Sequence, residues 1–270
     1  MLRAFYQSLL AFTPSRRLLR WARASLQRVA GYTDPFFDIA KLSRSSATQM
    51  FLDIGCHHGD TLLRFIEAGV KCPVVAFDPL PQNLAKAKSK LEFHSGITFN
   101  QVAISDIDGT ARFFVNKNSQ TSSLLENAQG NLEAFTDATK HVEFIDVQSV
   151  TLDNWFTSLI NRPSSVIVKC DTQGAEGKVI RGGIKTIREN VVAFFGEVML
   201  GSMYEGQASF AELRQLLEHE CGMVLTNIYP CLHDDLGRAV QMDALWVKPE
   251  FLRSTNWRLK STYLQQESHS

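Results

Sequence analysis

The stretch FLDIGCHHGD, Phe51–Asp60, puts a cysteine, two histidines and two aspartates within ten residues. Those are metal-ligand types. The same stretch follows an apolar run and is punctuated by Gly55 and Gly59, which is how a loop that cradles a cofactor looks. A metal site needs convergent side chains. His57 and His58 are neighbours on a tight turn, so their side chains are expected to diverge, and no second Cys/His cluster recurs nearby. A cofactor loop needs a glycine where the backbone turns and a ligand comes close, the part given to Gly55. It needs another where the helix start packs on the strand, the part given to Gly59. We therefore read a cofactor loop and assign no metal.

The spacing D-x-G-x-x-x-G is not G-x-G-x-x-G, and no lysine-serine pair follows. Both facts speak against NAD and ATP. Asp53, two residues before Gly55, would repel a pyrophosphate but suits a cofactor with cationic groups. S-adenosyl-L-methionine carries an ammonium and a sulfonium. Cys56, His57 and His58 either line its methionine end or fill the turn.

Three further loops carry chemistry. Phe77-Asp78-Pro79 ends the next apolar run. An acid there accepts from both ribose hydroxyls, or serves as an acid before a helix start. Asn100–Asp106 ends another strand, where backbone groups near Ala103 could read an adenine edge and Ile104 could pack on the ring. Val168–Glu176 ends a strand in Asp171, turns through Gly174 and opens a helix in which Glu176 fits a capping role. Asp171 is expected to face the same cleft as Asp53.

The elements that must hold these loops alternate. Apolar runs at 50–55, 73–79, 97–105, 164–171 and 191–200 read as strands. Helical patterns lie at 60–69, 81–93, 151–160 (N-cap Thr151), 175–190 (broken at Gly182–Gly183) and 209–222 (Ser209/Glu212 capping box). Extra strands fall at 110–116 and 141–150, and 223–232 with 239–249 form a closing hairpin. This is an α/β chain with a mostly parallel, doubly wound Rossmann-like sheet and a C-terminal antiparallel hairpin. Ligands then bind at the carboxyl ends of the strands. The polar excursion 116–140 and Tyr204-Glu205-Gly206 are lid candidates, or plain connections.

Lys+Arg and Asp+Glu both total 28, so no bulk field marks a nucleic-acid binder. Five widely spaced cysteines without a CxxC fit a reducing compartment, and a cytoplasmic location is expected. The apolar piece SLLAF is too short for a signal-peptide core. Residues 1–33 hold six arginines and no acid. Leu18, Ala22, Leu26 and Val29 share a helical face opposite Arg16, Arg20 and Arg23, with Trp21 at the boundary. Packing on the domain, peripheral membrane contact and an organellar transit peptide compete for this segment. The expected division is a helical extension 1–46, a catalytic domain 47–250 and a tail 251–270.

The four loops, taken in order, resemble the motifs of the FkbM-type S-adenosylmethionine-dependent methyltransferases. The likeness covers Met50–Lys248: FLDIGCHHG, AFDPLPQN, NQVAISDIDG and VKCDTQGAE, then MYEGQ and DALWVK. The chain departs from that pattern at Asp78, where Glu is usual, at Cys56-His57, where Ala-Asn is common, and at Gln173, where Glu is common. The resemblance implies a class I methyltransferase fold and S-adenosyl-L-methionine as cofactor. It implies O-methylation of a hydroxyl on a sugar, glycan or natural product. Asp53, Gly55, His57, Gly59, Asp60, Asp78, Pro79, Ala103, Ile104 and Asp171 are the expected cofactor contacts.

Methyl transfer is an in-line displacement helped by alignment and by a base for the alcohol proton. Asp171, Glu197 and His233 are the candidate bases. Asp171 could instead hold the cofactor, Glu197 anchor a loop, and His233 sit in a surface turn. One Mg²⁺ on Asp171, Glu197 and Asp243 is conceivable, but ordinary strand-end acids explain these residues without it. The competing readings are a cofactor-binding module without catalysis, acting as a membrane-surface scaffold, and a nucleotide-dependent oxidoreductase, which the missing glycine fingerprint disfavours. Oligomeric state is not readable.

Overall fold

The computed structural model describes residues 34–45, 48–128 and 140–254. The expected basic helix of residues 1–33 and the chain after 254 lie outside them. The first described helix is α1 (Pro35–Ser43), capped by the Asp34 carboxylate on the Phe36 N–H at 2.9 Å. Alternation follows: β1 (Met50–Ile54), α2 (Asp60–Ala68), β2 (Val74–Phe77), α3 (Pro81–Lys90), β3 (Ile97–Asn100), β4 (Ala103–Ser105), β5 (Gly109–Asn116) and β6 (His141–Thr151). Then come α4 (Leu152–Thr157), β7 (Val166–Cys170), α5 (Glu176–Arg181), α6 (Ile184–Glu189) and β8 (Val191–Met199). The chain closes with α7 (Phe210–Arg214, running into a π-helical turn), β9 (Val224–Ile228), β10 (Leu232–His233), β11 (Ala239–Val247) and α8 (Pro249–Ser254).

The main sheet runs β10-β11-β8-β7-β1-β2-β3, with β9 also on β11. β8, β7, β1, β2 and β3 are parallel, and β11 is antiparallel to β8. Strand alternation splits the core between two faces. Leu52, Ile54, Val166, Val168 and Phe194 pack under α4–α7. Phe51, Ile167, Phe195, Leu245 and Val247 pack under α1–α3 and α8. The buried Phe36, Ile39 and Leu42 of α1 and Phe251 of α8 belong to that second cluster, so both helices pack into the domain.

Two local breaks follow from single residues. A Cβ at Gly182 would lie 1.9 Å from the Ser105 carbonyl oxygen, and one at Gly183 would lie 2.7 Å from Leu152 Cδ2. The expected break at these glycines is therefore a close-packing requirement. The first arm of the hairpin is interrupted at Tyr229–Cys231, around Pro230, which has no N–H to give the ladder.

One strand differs from the sequence reading. Residues 97–105 are not a single strand. After Asn100 the chain leaves the main sheet, and Ala103–Ser105 pairs parallel with β6 in a second sheet of order β4-β6-β5. The expected strands 110–116 and 141–150 form this side sheet. Thr151 does cap α4, its side chain accepting from the Asn154 N–H, and Ser209/Glu212 do form the capping box.

Candidate active site

The carboxyl ends of β1, β2 and β7 converge on a cavity of about 290 Å³. Gly55, with φ +80, turns the chain out of β1. A Cβ there would sit 1.9 Å from the Asp171 carbonyl oxygen, so only glycine lets the loops after β1 and β7 come together. Gly59, also left-handed, has a different role from the expected one. Its Cα faces Leu91 and Ala87 at 3.1 and 3.3 Å from the would-be Cβ. It seats α2 against α3 rather than against a strand.

Asp78 sits where the sequence reading put it and lines the cavity. Oδ1 accepts from the Leu80 N–H at 2.9 Å and the Asn83 amide at 3.1 Å, and Oδ2 accepts from the His57 N–H at 3.0 Å. Burial outweighs these donors and raises its pKa to about 6. Gly55, His57, Asp60, Pro79, Ala103, Ile104 and Asp171 line the same cavity, as do Cys56, Val102 and Phe113.

Asp53 does not line it. Its carboxylate is wholly buried. Oδ1 is 2.9 Å from Lys169 Nζ, an ion pair without hydrogen-bond alignment, and Oδ2 has no hydrogen-bond partner. Lys169 in turn donates to the Gly55 carbonyl at 2.8 Å and stands 3.6 Å from Asp171 Oδ2. Asp53 and Lys169 are register partners on adjacent strands. The acid expected to greet a cationic ligand is thus neutralised inside the sheet, where it holds the glycine turn through Lys169. Lys169 was legible as a charge inside an apolar strand, which demands a buried partner.

The histidines also correct the sequence reading. Their rings do not diverge but stack, with centroids 3.6 Å apart and planes at 26°. His57 adopts φ +47, and its Nε2 lies 2.8 Å from Ser119 Oγ. Burial, then His58, pushes its pKa down to about 4, so the ring is neutral at pH 7. Cys56 is buried, and burial raises its thiol pKa. All five cysteines are free.

A second cavity, about 330 Å³, adjoins the first. Thr61, Asp171, Glu197 and Gln241 line both. Asp34, Arg64, Tyr229 and Asp243 bound only the second. Glu197 and Asp243 are direct cross-strand partners on β8 and β11. They continue the face that carries Phe195 and Leu245, and like charges so placed repel. Glu197 accepts from Gln173 Nε2 at 2.8 Å and from Gln241 Nε2. Burial, then Asp171, Glu176 and Asp243, holds its pKa well above the usual range. Asp243 is raised to about 6 by burial, then Asp171. Glu176 turns back to accept from the Thr172 N–H at 2.7 Å, bracing the loop after β7. His233 lies exposed on β10, outside the lining of both cavities.

The segment after β5 covers the first cavity. Asn118–Ser122 and Leu124 line the first cavity. Both lid candidates belong to one assembly. Asn127 bridges to Tyr204, and the Tyr204 hydroxyl lies 2.9 Å from the Thr121 carbonyl oxygen. Tyr204 itself is buried and lines neither cavity. Residues 129–139 of the excursion lie outside the described residues.

A strand-end cavity with an acid after β2, a glycine turn after β1 and acids after β7 is the arrangement the motifs imply. The Methyltransferase FkbM domain matches residues 53–225, more than half of the chain. The chain belongs to the FkbM methyltransferase family. It is an S-adenosyl-L-methionine-dependent methyltransferase. It is 28% identical over 177 residues to the 2-O-methyltransferase NoeI of Sinorhizobium fredii, covering 62% of this chain and 70% of that protein. Among solved structures it is similar to a precorrin-6y C5,15-methyltransferase of Geobacter metallireducens. There the TM-score is 0.42 and the identity 10%, over 78% of this chain and 87% of that one. Fibrillarin of Aeropyrum pernix with bound S-adenosyl-L-methionine gives a TM-score of 0.39 and 7% identity, over 78% and 73%. Likeness at that level carries no argument beyond the architecture described above. No described helix is long and apolar enough to cross a membrane.

Proposed function

We propose that this FkbM-family methyltransferase methylates a hydroxyl oxygen of a sugar, glycan or natural-product acceptor. The cofactor occupies the first cavity and the acceptor the second. The observation that carries the reading is the wall shared by the two cavities, with Asp171 and Glu197 on it. The relative's name, a 2-O-methyltransferase, supports oxygen as the accepting atom.

The residues present fit the cofactor. S-adenosyl-L-methionine, when bound, supplies a methyl group on a positively charged sulfur. Asp78 is a buried carboxylate on the cavity wall, suited to ribose hydroxyls. Ala103, Ile104 and Phe113 offer an apolar surface to the adenine ring. Asp171 brings negative charge toward the sulfur.

An alcohol must lose its proton as its oxygen attacks. Glu197 is the base of this reading: it is buried and lines both cavities, and burial with the neighbouring Asp171 raises its proton affinity. The acceptor proton passes to Glu197 as the oxygen takes the methyl group. Asp171, 3.6 Å from Lys169 Nζ, orients in this reading. His233 lines neither cavity and has no part in this reading.

The test is methyl release from S-adenosylmethionine against glycan, polyol and lipid extracts, with mass spectrometry to locate the methyl group. Glu197→Gln should lose about a hundredfold or more in rate and keep donor affinity. Full activity in that variant, or methyl on nitrogen or carbon, overturns the reading. Peripheral membrane contact by residues 1–33 rests on their arginine-only charge; liposome sedimentation with and without them decides it.

A further inference from the structure

Gln173, in the loop after β7, has an unusual place in the structure. Gln173 sits at φ +56, a backbone region uncommon for a residue with a side chain. The conformation sends its side chain between the ends of β7 and β8. There one nitrogen, Nε2, donates to Asp171 Oδ1 at 2.9 Å and to Glu197 Oε2 at 2.8 Å. An amide NH₂ has two hydrogens, one for each carboxylate. Its oxygen lies 3.1 Å from the Tyr204 hydroxyl, whose single hydrogen it shares with the nearer Thr121 carbonyl. The Gln173 carbonyl accepts from Ser123 Oγ at 2.7 Å. Thr121 and Ser123 belong to the segment that covers the donor cavity.

We propose that Gln173 is a positioning residue: a two-hydrogen clamp that holds the Asp171 and Glu197 carboxyl groups side by side, tied through Ser123 and Tyr204 to the cover of the donor cavity.

The surroundings explain why a clamp is needed. Glu197 faces Asp171 and Lys169 from β7, Glu176 from α5, Asp243 from β11 and Tyr204 from the loop after β8. Asp53 of β1 and His57 of the first loop lie in the field of Asp171, and Arg64 of α2 in that of Asp243. Lys169, the cation beside Asp171, is already shared by Asp53, Asp171 and the Gly55 carbonyl. The amides of Gln173 and Gln241 are the donors that stabilise charge on Glu197 itself. A glutamate at 173 would replace two N–H donors with a third acid.

The inference rests on the donor-site reading above, so its test is free of any acceptor. S-adenosylmethionine is charged at sulfur and S-adenosylhomocysteine is not. The ratio of their affinities, followed by calorimetry across pH, reports the charge on Glu197. The native protein should prefer the sulfonium most at high pH and lose that excess as the pH falls and Glu197 takes up its proton. Gln173→Glu should move the midpoint of that loss upward by about one pH unit, a tenfold change in proton affinity. The direction follows because added negative charge makes the neighbouring carboxyls harder to ionise. Tyr204→Phe, which removes the hydroxyl beside the amide oxygen, should move it upward by less.

A Gln173→Glu midpoint that coincides with the native one overturns the proposal. If that variant fails to fold, an unmoved Tyr204→Phe midpoint overturns it instead. Native protein that binds neither compound sinks the donor-site reading, before any variant is made.

Discussion

The two cavities share a wall but are assembled in opposite ways. The first cavity takes much of its lining from short continuous stretches: Ile54–His57, Phe77–Pro79 and Asp171–Gln173 at strand ends, Val102–Ile104 entering β4, and Asn118–Ser122 after β5. The second cavity collects single residues from distant elements: Asp34 before α1, Arg64 of α2, Tyr229 and Pro230 at the break in the hairpin, and Asp243 of β11. A contiguous lining is a motif and constrains backbone shape. A dispersed lining constrains only which side chains meet, and each of its positions can change alone. A common cofactor and a variable acceptor call for that division.

The comparison breaks most completely at Gly55. Gly55→Ala places a methyl against the Asp171 carbonyl at a left-handed φ. We expect a loss of roughly 4 kcal/mol or more, read as a fall in Tm of about 10 °C or as insoluble protein. A variant as stable as the native protein would mean that the two loops can part without cost.

Asp78→Ala should weaken S-adenosylmethionine binding about tenfold to a hundredfold without unfolding the chain. Calorimetry with thermal denaturation checks both parts, and unchanged affinity refutes the ribose role. In the native protein, donor affinity should fall as the pH drops through about 6, where Asp78 takes up its proton.

Asp243→Asn touches only the second cavity. It should raise the acceptor KM several-fold and leave donor affinity alone. It should also stabilise the protein. The folded-state pKa of Asp243 is raised from 3.8 to about 6, so the folded chain keeps a proton that the unfolded chain has lost. That makes the native carboxylate a liability above about pH 6 and harmless below pH 4. The variant's gain, on the order of 1 kcal/mol or 2–4 °C, should vanish on acidification. A Tm difference that persists at pH 4 contradicts this account. His233→Ala, outside both linings, should change rate and affinity by less than about twofold, the scale of a surface substitution.

The same contrast sets what the sequence could yield. The turn at Gly55, Asp78 at the end of β2, the caps at Thr151 and Ser209 and the break at Gly182–Gly183 are local, and local rules find them. Asp53 was misplaced because position along a strand says which face a side chain takes, not which neighbour waits there. Lys169, its register partner, is 116 residues away. The stacking of His57 on His58 depends on one residue's positive φ, which no spacing rule anticipates. The apolar pattern of 97–105 is continuous although its hydrogen-bond partners change after Asn100. The meeting of Asp34, Arg64, Tyr229 and Asp243 is purely tertiary. Part of its scaffold is Asp38, which accepts from the Tyr229 hydroxyl at 2.9 Å and ties α1 to the hairpin break.

The change of sheet after Asn100 has one more consequence. β5 and β6 form a long ladder outside the main sheet, and the residues that cover the first cavity, Asn118–Ser122 and Leu124, lie in the connection between them. Length changes between those strands would be absorbed at the open end of the ladder. The eight strands of the main sheet would not need to move. The molecule is thus built like a tool with a fixed handle and an exchangeable guard: descendants could remodel what shields the reacting centre by insertion or deletion, without renegotiating the register of the core.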